Sequence, residues 1–217
     1  MADFAKQRLT MVDTQVRPAD VTKFTILDAM LAVPREDFVP EARRELAYVD
    51  GPLEIAPGRT LLEARTIAKM LDAADLEPAD VVLEIGCGLG YTTALLSHLV
   101  EAVVAVEEDP DLAGEAEATL GDHGIDNAAV VSGTLTEGHA KAGPYDAVVI
   151  FGGVEELPAA LADQVKEGGR LVAVFMDGEY GEVRSGLKSD GRLNWRMAFN
   201  ATAGVLPGFE RAPSFTF

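Results

Sequence analysis

The sequence has one cysteine, Cys87, among 217 residues. A single thiol excludes an intramolecular disulfide and any zinc site built from several cysteines, and it suits a reducing compartment. Basic residues are also scarce, 18 against 36 acidic ones, so the formal net charge is -18. A nucleic-acid backbone would be repelled by such a chain, and no nucleic-acid partner is expected. No apolar run approaches the roughly 18 residues a membrane helix needs, and the first twenty residues show neither an apolar core nor a small-residue cleavage site. These absences together predict a cytoplasmic protein with no membrane association. Only three histidines occur, His98, His123 and His139, and their spacing is not that of metal ligands. No metal is expected.

Hydrophobic residues make up 48% of the chain and charged residues 25%, the composition of an ordinary globular protein. The length allows one substantial core. A single domain is therefore expected, with residues 1–78 as a helical and irregular cap and residues 79–217 as an α/β core. In the cap, residues 21–33 place apolar side chains at helical spacing until Pro34 stops the pattern. The next stretch, "PREDFVPEARRELAYVDGPLEIAPG", carries four prolines and two glycines and reads as irregular, with one helical turn at residues 41–48. Helical spacing returns over residues 60–74.

Beyond Pro78 the pattern alternates. "DVVLEIG", "AVVAVEED", "AAVVSG", "YDAVVIFGG" and "GGRLVAVFM" are short apolar runs, and "YTTALLSHLV", "DLAGEAEATLGDHG" and "LPAALADQVKEG" are helical candidates between them. Continuous Val/Ile/Ala runs are what strands buried on both faces look like, so the economical fold is a doubly wound, Rossmann-like parallel sheet. From Arg184 to Phe217, strand-like pieces and the Pro-Gly of "VLPGFE" suggest a closing antiparallel hairpin at the sheet edge.

The chemistry concentrates in "VVLEIGCGLGY", residues 81–91. The strand ends at Ile85, and Gly86, Gly88 and Gly90 follow at alternate positions before a helix. Glycine permits positive φ and brings backbone close to a ligand, and the helix start offers free N–H groups. The second strand ends in "AVEED", which puts Glu107 where an acid takes both ribose hydroxyls of a nucleoside. In the dinucleotide fingerprint the third glycine comes one residue later. With the glycine early and Glu84 just ahead of the turn, the pattern favours S-adenosyl-L-methionine over NAD. Its ammonium and sulfonium charges call for carboxylates, and it has no pyrophosphate to seat on a helix. Cys87 lies in the same turn, near a helix start that could raise thiolate character, but a packing role is the simpler reading.

With those residues laid out, the chain resembles the protein-L-isoaspartate O-methyltransferase family. The resemblance runs over most of the length and is carried by "MLAVPREDFVP", "VLEIGCGLGYTTALLSHLV" with "VVAVE", and "YDAVVIFGG" with "LPAALADQVKEGGRLV". The Val-Pro-Arg-Glu-Asp-Phe-Val segment is particular to that family, whereas the glycine turn is shared by class I methyltransferases in general. The resemblance implies a seven-stranded sheet and methylation of the α-carboxylate of L-isoaspartyl residues in damaged proteins or peptides. It implies that Glu84, Gly86, Cys87, Gly88 and Gly90 form the cofactor loop and that Glu107 is the ribose acid. The family's adenine-contacting aspartate is replaced by Thr134, followed by Leu135.

A second departure lies on the substrate side. Ahead of the glycine strand the family carries a serine facing the reacting carboxylate. Here "GRTLLEART" keeps Thr60 and Leu61 but sets Leu62 at the serine and Ala64 at a proline. Arg59, Thr60 and Leu62 are the candidate substrate contacts, and Arg59 or Arg65 could clamp a carboxylate in the serine's place. Two alternatives stand beside isoaspartyl methylation: the same scaffold acting on another substrate, and a cofactor-binding protein without turnover.

Overall fold

The computed structural model describes residues 3–212 of the chain. Seven strands form one mixed sheet in the order β5-β4-β3-β6-β7-β8-β9. The parallel part comprises β3 (Val81–Ile85), β4 (Ala102–Glu107), β5 (Ala128–Ser132), β6 (Tyr145–Val154) and β7 (Val165–Asp177), and antiparallel β8 (Tyr180–Ser189) and β9 (Arg192–Asn200) close one edge. The strand order reverses beside β3, with β4 on one side and β6 on the other. A ligand crevice forms at such a switch point, outside the strand carboxyl ends.

Both faces of the parallel part are covered, as the continuous apolar runs require. Val82, Val149 and Val172 point into one core with the N-terminal cap, α3 (Ala64–Ala74) and α4 (Tyr91–Ser97). Leu83, Val148 and Leu171 point into the other, with Leu161, Leu206 and Phe209. α5 (Pro110–Asp122) starts on a proline, and Asp109 caps it by accepting from the Asp111 and Leu112 amides. Among the described residues no helix is long and apolar enough to cross a membrane.

The cap holds α1 (Phe4–Met11) and α2 (Phe24–Ala32), and its irregular stretch has a short 3₁₀ segment at Glu41–Leu46. It also contains an element that the proline-rich reading hid. β1 (Leu53–Ala56) and β2 (Arg59–Leu61) pair antiparallel as a small separate hairpin. The helix expected from residue 60 therefore begins only at Ala64. Thr60 and Leu61 are committed to pairing with Glu54 and Leu53 instead. A second expected helix is shorter than read: α6 (Ala159–Asp163) stops early because Val165 already pairs with Tyr145 at the start of β7.

The closing hairpin lies upstream of the Pro-Gly turn. β8 and β9 meet at Asp190-Gly191, with φ of 53° and 73° respectively, the backbone of a tight two-residue turn. The "VLPGFE" stretch instead runs back across the sheet as a strap, with Val205 bridging Gly153. A Cβ on Gly152 would lie 2.5 Å from Leu206, and one on Gly153 would lie 2.8 Å from the Ala203 carbonyl, so two glycines let the strap approach. The last part of the expected hairpin, residues 213–217, lies outside the described residues. Phe209 pins the strap, fully buried on the α6 side of the sheet. Phe209→Ala should cost about 3–5 kcal/mol, read as a lower urea midpoint with unchanged slope.

Candidate functional site

The glycine turn leaves β3 at the switch point. Gly86, Gly88 and Gly90 all have positive φ, at 75°, 57° and 90°. Gly88 is the position with least room, since a Cβ there would lie 2.5 Å from Ile55 of β1. The sequence spacing thus reflects a real backbone demand.

Glu107 ends β4 beside this turn and has no exposed surface. Its carboxylate accepts from three backbone amides, Gly88 at 2.8 Å, Glu108 at 2.9 Å and Asp109 at 3.1 Å. The strand end and the turn therefore fix the acid in place before any ligand arrives. Arg59 of β2 completes the arrangement, with Nη1 and Nη2 each donating at 2.6 Å to a different carboxylate oxygen. Burial alone would lower the Arg59 pKa, but the hydrogen bonds and charge of Glu107 more than offset it, and the guanidinium stays charged.

This contact corrects one expectation. Arg59 is buried and its fork is taken by Glu107, so in this conformation it cannot also clamp a substrate carboxylate. Arg65, the other candidate, is half exposed on α3 and pairs loosely with Asp50 at 3.6 Å. Thr60 is exposed on the same short strand as Arg59.

Glu84 is a second correction. It is fully buried, and its two oxygens accept from the hydroxyls of Thr92 and Thr93 (2.6 Å for Thr93) at the start of α4. Burial raises its pKa to about 7 against the lowering effect of both threonines, with the nearby Glu107 charge adding to the rise. It joins the glycine turn to the following helix and does not present a full negative charge to a cationic ligand. Cys87 is buried too, and burial, followed by the charges of Glu84 and Glu107, pushes its thiol up, which opposes a reactive role. Thr134 is exposed two residues beyond the end of β5, and Leu135 beside it is wholly buried in the core on the strap side. No cluster that could hold a metal occurs among the described residues.

The substrate-side wall hangs on the cap. Arg35 is 1% exposed, and it donates through Nε to the Ala47 carbonyl at 2.7 Å and through Nη2 to the Leu62 carbonyl at 2.8 Å. Its guanidinium lies 4.8 Å from the centre of the Tyr91 ring, at the start of α4. The neighbouring Glu36 accepts from Arg8 at 3.1 Å and from the Tyr48 hydroxyl. The family-like "VPREDF" segment is thus a brace that sets the height of Leu62 over the turn. Sequence reasoning missed the role of Arg35, and its surplus of charge inside an apolar segment was the available signal.

Directly over the glycine turn the open space is small. Ile55, Arg59, Leu62, Thr92, Phe151 and Leu206 line a void of about 20 Å³ over the turn. Sites for ligands of cofactor size usually measure about 300–1,000 Å³. A cleft of about 850 Å³ opens next to it, lined by Glu63, Arg65, Thr66, Tyr180, Arg184 and Arg211 among others. Leu62 and Glu63 are consecutive, so one peptide bond separates the linings of the two spaces.

The family model described as protein-L-isoaspartate(D-aspartate) O-methyltransferase matches residues 7–194. The chain belongs to this family. A protein-L-isoaspartate O-methyltransferase of Syntrophus aciditrophicus is 43% identical over 172 residues, 79% of each chain. One from Methanoculleus marisnigri is 38% identical over 188 residues, 87% of this chain and 86% of the relative. Among solved structures, a protein-L-isoaspartate O-methyltransferase superposes with TM-score 0.80 at 25% identity, over 94% of this chain and 65% of its own. A Plasmodium falciparum protein, solved in complex with S-adenosyl-L-homocysteine, superposes with TM-score 0.79 at 20% identity over 95% and 99%. The expected seven-stranded methyltransferase sheet, with helices before it and antiparallel strands after it, is the fold these structures share.

Membership makes the chain an S-adenosyl-L-methionine-dependent methyltransferase. The donor set suits that cofactor: an amide-anchored acid at the end of the second core strand, and a glycine turn with backbone open to close approach. The void over the turn, about 20 Å³, is smaller than such a cofactor.

The raised Glu84 pKa has a consequence for stability. An acid whose folded pKa exceeds its unfolded value costs stability as pH rises between the two, here from about 4.5 to about 7. The full cost is on the order of 3 kcal/mol and is in place above pH 7. Glu84→Gln removes this titration while keeping partners for both threonines. Its urea stability should therefore fall less than that of the parent between pH 5 and pH 8.

Proposed function

We infer that this methyltransferase transfers its methyl group to the α-carboxylate of L-isoaspartyl residues in damaged proteins, a first step of repair in the cytoplasm. The observation that carries the reading is the junction at Leu62-Glu63, where the wall over the glycine turn meets a cleft of about 850 Å³. When bound, S-adenosyl-L-methionine supplies an electrophilic methyl on its sulfonium for in-line displacement. A carboxylate is ionised at neutral pH, so the chain needs no general base. Its task is to position the nucleophile and to exclude water.

Each group described above has a part in that task. Glu107 and the glycine turn hold the nucleoside end, Leu62 and Phe151 keep the reacting space apolar, and Arg35 braces the wall. The cleft carries charges of both signs, Glu63, Glu182, Arg65 and Arg184 among them, which suits polypeptide better than a small apolar acceptor. The net charge of -18 opposes a nucleic-acid substrate. Leu62 itself favours a second reading, methylation of a different acceptor, because a leucine has no hydrogen-bond donor for the substrate carboxylate.

Transfer of labelled methyl to an L-isoaspartyl peptide, with none to the same peptide containing ordinary aspartate, is the expected result. Transfer to neither, with S-adenosyl-L-homocysteine still bound, would move the activity to the second reading. Leu62→Ser should raise kcat/KM on the isoaspartyl peptide by about tenfold or more, since an orienting donor is regained.

A further inference from the structure

The Arg59–Glu107 pair sits where a nucleoside has to go. Both oxygens of Glu107 are the ones a ribose diol would engage, and both are taken by the two Nη groups of Arg59. Arg59 also lies against the turn, since a Cβ on Gly86 would meet its Nη2 at 3.5 Å. Beside it Ile55 covers Gly88, and Leu206 covers Gly86. Among the described residues, Arg59 is the only charged side chain lining the void. The wall residues Thr60, Leu61 and Leu62 follow it directly on the same strand and its exit.

We propose that Arg59 is a partner-exchange residue: the cofactor's ribose hydroxyls displace it from Glu107, and the freed guanidinium takes the substrate carboxylate. The proposal rests on the carboxyl-methyltransferase reading above. Glu107 needs no rearrangement for the exchange, because the amides of Gly88, Glu108 and Asp109 hold it in place without Arg59. The guanidinium, by contrast, cannot stay buried and unpaired, and needs a new anion. Among the described residues lining the void, no other offers a positive charge to a carboxylate, and Leu62 offers no donor. A planar fork matched to a carboxylate on Glu107 is matched to a carboxylate on the substrate as well. Binding is then ordered, with cofactor first, and the wall that meets the peptide takes its working position only after the nucleoside is seated.

Calorimetry with S-adenosyl-L-homocysteine and an L-isoaspartyl peptide separates the parts. Arg59→Gln should bind S-adenosyl-L-homocysteine at least about tenfold more tightly than the parent, because the closed form no longer competes. Arg59→Lys, which keeps the charge but not the fork, should fall between the two, and it serves if Arg59→Gln does not fold. The parent should bind peptide only when S-adenosyl-L-homocysteine is present. At saturating cofactor, Arg59→Gln should raise the peptide KM by about tenfold or more and change kcat far less, with partial recovery in Arg59→Lys. Unchanged or weaker S-adenosyl-L-homocysteine binding in both variants would overturn the exchange, as would equal peptide binding with and without it. A peptide KM unaffected by Arg59→Gln would overturn the carboxylate role. If the parent binds no isoaspartyl peptide under any condition, the substrate reading fails, while the S-adenosyl-L-homocysteine affinities still decide whether Arg59 competes for Glu107.

Discussion

Much of the site depends on the Glu107 carboxylate. Itself without exposed surface, it accepts from three backbone amides of two different segments and from both arms of Arg59. A buried carboxylate without such partners would carry a desolvation penalty of several kcal/mol. The amides come from the β3 turn and from the end of β4, so the acid ties together the two strands that define the crevice. The arginine comes from the cap, so the same acid also fastens the β1–β2 hairpin over that crevice.

The surrounding architecture serves this arrangement from several sides. Arg35 holds the carbonyl of Leu62 from below, and Glu84 holds the threonines that open α4. The strap from β9 presses Leu206 onto Gly86 and Gly152. These devices leave only a small space over the turn, lined largely by apolar side chains, which is an effective setting for electrostatic positioning. On the proposed exchange, opening is part of binding, since a nucleoside cannot enter a void of about 20 Å³ without moving some of them.

The parallel sheet and the glycine turn were legible because their physical requirements act locally. Strands buried on both faces must be continuously apolar, as Val103-Val104-Ala105-Val106 and Ala147-Val148-Val149-Ile150 are. A turn that approaches a ligand must lack side chains, and Gly86, Gly88 and Gly90 do. The position of Glu107 at a strand end followed from the same register. The β1–β2 hairpin was not legible. Its strands have four and three residues, too few to show a period, and they lie among prolines and glycines. The partners of buried charges were hidden for a different reason. Arg59 and Glu107 are 48 residues apart, and only the packing of cap on sheet brings them together. The sequence neighbours of Glu84 line the cofactor turn, which points to a cation-facing role. The alternation of a strand sends its side chain to the face of Val82, where the threonines of α4 are waiting. The antiparallel hairpin was expected from the right composition but at the wrong turn, since Asp190-Gly191 closes it and the later Pro-Gly belongs to the strap.

A crystal structure with S-adenosyl-L-homocysteine bound would test the central claim most directly, through the distance between the Arg59 guanidinium and the Glu107 carboxylate. The account predicts that the ribose hydroxyls occupy the carboxylate, that both 2.6 Å contacts are lost, and that Arg59 has turned toward the wall at Leu62. A bound nucleoside with the bidentate Arg59–Glu107 pair still intact would contradict it.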